Sequence, residues 1–191
     1  MQKMKLLLPA LILSLLFFSC NNEDEPAITS GKARINILLT DAPYPIDLIS
    51  SAFVTIDRVE IRQTSGAGMD EEADSFIVIS EGEMDFDLLQ LTNGITEHIG
   101  SADLEAGYYD MVRLHVTDAT VFLKNGSRHD LKIPRGSSSG LKIKINPGIY
   151  IDEGQTADVL LDFDVSRSFI IRGNPNGNFN GFIFKPVVRG A

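Results

Sequence analysis

"KARINILLT", residues 32 to 40, puts Ala33, Ile35, Ile37 and Leu39 on one parity and Arg34, Asn36 and Thr40 on the other. Successive side chains of an extended chain point to opposite faces, so this period of two predicts a half-buried β-strand. The run stops at "DAPYP", Asp41 to Pro45, where two prolines remove ladder donors. Ala52 to Arg62 continues the pattern with a change of phase, Val54 and Ile56 on one parity and Val59 and Ile61 on the other. One extra residue near Asp57 or Arg58 restores a common face, which predicts a β-bulge there.

Further along, Thr64 to Asp74 reads as a polar loop and Phe76 to Ile79 as a short strand. Asp85 to Leu91, closed by Gly94, is too short for periodicity to choose between a helical turn and a strand. Tyr108 to Thr117 alternates, with Tyr108, Val112, Leu114 and Val116 on the inner parity. Val121 to Lys124 and Asp130 to Ile133 flank Asn125-Gly126, a pair that tolerates positive φ and predicts a hairpin. Leu141, Ile143 and Ile145 alternate with Lys142 and Lys144, and Val159, Leu161, Phe163 and Val165 alternate with Leu160, Asp162 and Asp164. Phe169 to Arg172 and Phe182 to Val188 bracket the Asn/Gly-rich stretch Gly173 to Gly181, a second hairpin. About eight strands without a long amphipathic helix predict an all-β fold, an antiparallel β-sandwich of immunoglobulin-like or transthyretin-like type, in a single domain over residues 32–191.

Composition excludes some partners. The 191 residues carry a formal charge of -9, which leaves no basic stripe for phosphate neutralisation, so nucleic acid is not an expected partner. A single cysteine forms no internal disulfide and no CxxC-type zinc site.

That cysteine, Cys20, sits in "LLFFSCNNEDEP" at the end of an apolar run that follows Lys3 and Lys5. The apolar run, Leu6 to Phe18, is about 13 residues long, too short for a spanning helix of about 20. Residues 1–19 therefore read as an export signal peptide. A cysteine just after it resembles the lipobox of bacterial lipoproteins, which implies a lipid anchor on Cys20 with fatty-acyl (palmitate) chains. Residues 20–31, with Glu23, Asp24 and Glu25, form an acidic tether, read either as a sorting signal for the outer face of the outer membrane or as a solvated linker.

"LTDAP" (Leu39 to Pro43), "DLLQL" with the following Asn93-Gly94, "LEAGYYDMVRL" (Leu104 to Leu114), "GLKI" (Gly140 to Ile143), "LDFDVSRS" (Leu161 to Ser168) and "KPVV" (Lys185 to Val188) occur in order. Together, from about Gly31 to Arg189, they resemble a family of bacterial and archaeal secreted or lipid-anchored domains of unknown function. The resemblance implies a β-sandwich and carries over no catalytic residue.

The most concentrated chemistry is Asp158, Asp162 and Asp164 on one face of a strand. Residues two apart lie about 6.6 Å apart along a strand, so Asp162 and Asp164 suit either one calcium ion or a ladder of structural ion pairs. The ladder is preferred, with Lys142 and Lys144 as a matching basic parity and Arg113 and Arg167 in motif segments. Calcium is the one cofactor considered, and no catalytic residue is assigned. Met69 to Asp74 lacks EF-hand spacing. Ser139 to Lys142 has the letters S-x-x-K, but on a strand and not at a helix start. His98, His115 and His129 show no metal spacing and are expected in solvent or in hairpins. Tyr44, Tyr109, Tyr150 and Phe179 read either as a sugar or peptide platform or, the preferred reading, as rings packed over the ends of the sandwich.

The functional expectation is a non-catalytic outer-membrane lipoprotein of a Gram-negative envelope, facing the cell surface, with a glycan or protein ligand. A structural subunit of a fimbria-like assembly is the alternative, and a hydrolase using loop carboxylates the third.

Overall fold

A computed structural model describes residues 31–41, 48–64, 75–134, 139–174 and 177–191. The expected signal peptide, Cys20, most of the tether, Tyr44 and the Met69 to Asp74 stretch lie outside the described residues. Strand β1 (Lys32–Thr40) buries Ala33, Ile35, Ile37 and Leu39 completely. It lies between β4 (Glu97–Glu105), antiparallel, and β8 (Thr156–Phe163), parallel, with Ile37 opposite Val159 and Leu39 opposite Leu161. The remaining long strands are β2 (Ile49–Thr64), β3 (Phe76–Asp87), β5 (Gly107–Leu123) and β7 (Leu141–Ile151). Two short ones, β6 (Arg128–Asp130) and β11 (Val188–Gly190), complete a sheet ordered β3-β2-β5-β7-β11-β8-β1-β4, with β6 on β5. The predicted hairpin forms from β9 (Phe169–Gly173) and β10 (Phe179–Phe184), but as a separate two-stranded sheet whose second arm starts at Phe179 and not at Phe182.

The all-β class is as expected, and the closure of the sheet differs. Its end strands β3 and β4 approach each other without pairing, so the sheet is nearly closed into a barrel. It is also mixed, since β1 with β8 and β7 with β11 run parallel. A packed barrel and a sandwich both alternate inward and outward residues, so the period of two does not distinguish them. Gly100 marks the seam: a Cβ there would stand 2.9 Å from Ser80 Cβ and 3.0 Å from Ile79 Cγ2. Gly100→Val is expected to wedge β3 from β4 and cost about 1–3 kcal/mol by urea denaturation. An unchanged midpoint would show that the seam is not close-packed.

Bulges set which residues face the core. In β2 the register moves from Ile56 to Arg58 against both β3 and β5, so Asp57 is the predicted extra residue. Val54, Ile56, Val59 and Ile61 are consequently all buried. In β5 a second shift skips Asp110, which sequence alternation alone did not reveal. Tyr109 therefore turns inward in place of Tyr108, and is a core residue and not a cover for the barrel end. Its hydroxyl donates to the Glu105 carbonyl at 2.6 Å, and burial, aided by the Glu105 charge, pushes the phenol pKa up. In β4, unpredicted from sequence, Ile99 is the skipped residue, so Ile99 and Leu104 reach one core from opposite parities.

Asp85 to Leu91 resolves into both candidates. The end of β3 runs into a 3-10 turn, Leu88–Gln90, capped by Asp87, whose carboxylate accepts from Ala52 N–H at 3.0 Å. The Asn125-Gly126 hairpin joins β5 to β6, with Gly126 at φ 84°. After β8 the chain makes one helical turn, α1 (Val165–Ser168), capped by Asp164. The buried Asp41 accepts from Val165 N–H at 2.9 Å, tying the end of β1 to that turn.

Gly31 and Lys32 lie beside the Asp152 to Gln155 turn and the start of β5, since Gly154 N–H donates to Lys32 carbonyl and Gly107 pairs with Ile151. The hairpins β5-β6 and β9-β10 lie at the other end of β5 and pack together through His129, whose ring meets Phe179 and Phe182 edge-on.

Candidate functional site

The acidic strand is partnered only in part as the sequence suggested. Asp162 and Asp164 face Arg189 of β11, at 3.5 Å each, and Arg167 lies 4.0 Å from Asp164. Lys142 and Arg113 do not reach them, because β11 inserts between β7 and β8. Lys142 extends instead over the Phe76 ring at 5.9 Å. Asp158 accepts from Asn36 at 2.8 Å. Arg189 was missed from sequence because nothing local marks β11 as the neighbour of β8. Among the described residues no group of three or more His, Cys, Asp or Glu is disposed to hold a metal ion. Asp164 already accepts from Ser166 Oγ at 2.7 Å and Arg167 N–H at 3.1 Å.

Arg113 belongs to a different cluster. Glu60, outward on β2 yet buried, accepts from Arg113 Nε at 2.5 Å and lies 3.0 Å from His115 Nε2. The Arg113 guanidinium also lies 3.8 Å over the Phe76 ring, a cation-π contact. Gly140 closes over the pair: a Cβ there would clash with Arg113 Cγ. Burial opposes ionisation of Glu60, but hydrogen bonds from Arg113 and His115 and their charges outweigh it and hold the carboxyl below its usual range. His115 is thus a partly buried partner of a carboxylate, where solvent or a hairpin was expected, while His98 is exposed and His129 lies in a hairpin.

A groove of about 190 Å³ lies on the outer face of β3, β2, β5 and β6. Register places its residues in rows across the strands. Asp85, Thr55 and Asp118 form one row, Phe53 and Thr120 a second, and Phe122 and Arg128 a third. Adjacent strands are about 4.8 Å apart, so the side chains of these rows converge. Phe53 and Phe122 meet edge-on at 6.0 Å and the Arg128 guanidinium lies 5.8 Å over Phe122. Thr55 donates to Asp85 at 2.6 Å, Thr120 to Asp130 at 3.0 Å, and Arg128 to Asp130 at 2.7 Å. These bonds fix the rim, and Asp118, whose Oδ1 accepts from Ala119 N–H at 2.8 Å, lines the groove with Asp85. No one segment of sequence contains this constellation, so only the alternation of four separate strands hinted at it.

Fold and clefts together define an all-β domain, a nearly closed barrel that carries polar and aromatic groups on its outer wall. The model of the family described as a domain of unknown function, DUF4382, matches residues 32–186, and the chain belongs to that family. No curated protein and no solved structure matches it.

Proposed function

We propose that the protein is a non-catalytic lipoprotein of a Gram-negative outer membrane, tethered through acylated Cys20, whose barrel binds a glycan in the Phe53–Phe122 groove. The observation that carries this reading is the groove itself: two phenyl rings beside two carboxylates and a guanidinium. Apolar ring faces suit the C–H face of a sugar, and carboxylates and Arg128 suit its hydroxyls, the usual mix of apolar wall and few polar groups in ligand sites. Position supports it too. The tether enters at Gly31, beside the start of β5, whereas Phe122 lies fifteen residues along that strand toward the other end. A site there faces away from an anchoring membrane.

Calorimetric titration of the intact protein in detergent with neutral mono- and oligosaccharides tests the reading. At least one is expected to bind saturably, and Phe122→Ala and Asp118→Asn are each expected to weaken it about tenfold, the order of one lost stacking or hydrogen-bonding contact. Equal affinity in both variants, or no binding by any saccharide, overturns it.

A further inference from the structure

A second cleft, of about 550 Å³, opens on the outer face where β7, β11 and β8 meet. Lys144 and Asn146 line it from β7, Leu160 and Asp162 from β8, and Val188 and Arg189 from β11. It exists because β11 is three residues long and touches the β7 ladder only at Gly190 opposite Ile145, so β7 and β8 diverge around it. Lys144 stands between buried Ile143 and Ile145, and Asp162 between buried Leu161 and Phe163, which directs both side chains outward on the same face.

The polar groups here are under-used compared with those elsewhere on the barrel wall. Arg62 meets Asp110 at 2.7 Å and Arg34 meets Asp103 at 2.8 Å. Arg189, by contrast, stands 3.5 Å from each of Asp162 and Asp164. Asp162 Oδ1 is screened from solvent and accepts no hydrogen bond, an unfavourable state for a carboxylate oxygen. Lys144 has no ion-pair partner among the described residues. The cleft therefore holds an unpaired ammonium, a loosely held guanidinium, the Asp162 carboxylate that this guanidinium faces, and apolar Leu160.

We infer that this cleft binds an α-carboxylate with an N–H donor on the adjacent carbon, as in a free amino acid or the carboxy end of a short peptide. The ligand carboxylate takes Lys144 and Arg189 in charge-assisted hydrogen bonds, its N–H donates to Asp162, and its side chain rests on Leu160. Lys144 and Arg189 thereby gain a close anionic partner. A bare inorganic anion offers Asp162 only a like charge, and a neutral sugar leaves Lys144 unpaired. The cleft is on different strands from the aromatic groove, so the inference stands independently of glycan binding.

Calorimetric titration of the intact protein in detergent with alanine, alanyl-alanine, acetyl-alanyl-alanine and alanyl-alanine amide tests it. The three acids are expected to bind, with the amide at least about tenfold weaker, as loss of a charge-assisted pair requires. Tighter binding of the dipeptides than of alanine assigns the cleft to a peptide end, and equal binding to an amino acid. Lys144→Gln is expected to weaken the acids about tenfold while leaving the melting temperature in place, because Lys144 is exposed and unpaired. Three results overturn the inference: equal affinity for the amide, unchanged affinity in Lys144→Gln, or no heat from any acid up to about 10 mM.

Discussion

Phe163→Ala is expected to cost about 3–5 kcal/mol of folding stability, the range for deleting a buried aromatic ring. Phe163 is fully buried at the end of β8 and stacks on Phe184 with centroids 6.3 Å apart and planes 16° apart. Phe184 in turn packs on Phe169 at 5.1 Å. The ring thus joins the barrel to the separate β9-β10 hairpin, and its backbone pairs with Val188, the first residue of β11. Removing it forfeits the transfer free energy of the ring and leaves a void that three neighbouring strands cannot all collapse into. Domains of this size are stable by about 5–15 kcal/mol, so about a fifth or more of the total is at stake. Urea denaturation is the measurement, and Phe163→Leu should recover most of the loss, costing less than about 1.5 kcal/mol. A loss below about 1 kcal/mol for the alanine variant would mean that the hairpin does not depend on this ring.

The second large effect is at Glu60. Glu60→Ala at neutral pH is expected to cost about 2–3 kcal/mol, because it strands the partly buried Arg113 and His115 without their acceptor. The pH dependence gives a sharper test. The carboxyl has a lower pKa in the folded barrel than its ordinary 4.5, so the folded state binds fewer protons there than the unfolded state. Its stabilising contribution is complete above the unfolded value and disappears as pH falls through the lower, folded value. Glu60→Gln carries no such titration. The stability gap between wild type and Glu60→Gln should therefore be widest at neutral pH and narrow below about pH 4.5. A gap that stays constant down to about pH 3 would show that the carboxylate charge contributes nothing and that shape alone matters.

The sequence alone determined everything that depends on the local period of the backbone. Ala33, Ile35, Ile37 and Leu39, and again Val159, Leu161 and Phe163, identify their strands and their buried faces because side-chain alternation is a property of a few consecutive residues. The Asp57 bulge was legible for the same reason, since two apolar pairs of opposite phase need one spare residue between them. The ordered short motifs from about Gly31 to Arg189 pointed to a domain of unknown function, and a family model of that description matches residues 32–186. Only the tertiary structure decided which strands are neighbours. Alternation is identical in a sandwich and in a barrel, so the approach of β3 to β4 and the parallel pairing of β1 with β8 left no local trace. The Asp110 bulge was hidden because Tyr108 and Tyr109 offer the same side chain on either parity, and packing chose Tyr109. Both clefts depend on this long-range choice. Arg189 meets Asp162 because a three-residue strand from the far end of the chain fits between β7 and β8, and the aromatic groove needs Asp85, Phe53, Phe122 and Arg128 from four strands in one register. Strand pairing is selected by the burial and hydrogen bonding of the whole sheet at once, a sum over residues remote in sequence that no single stretch encodes.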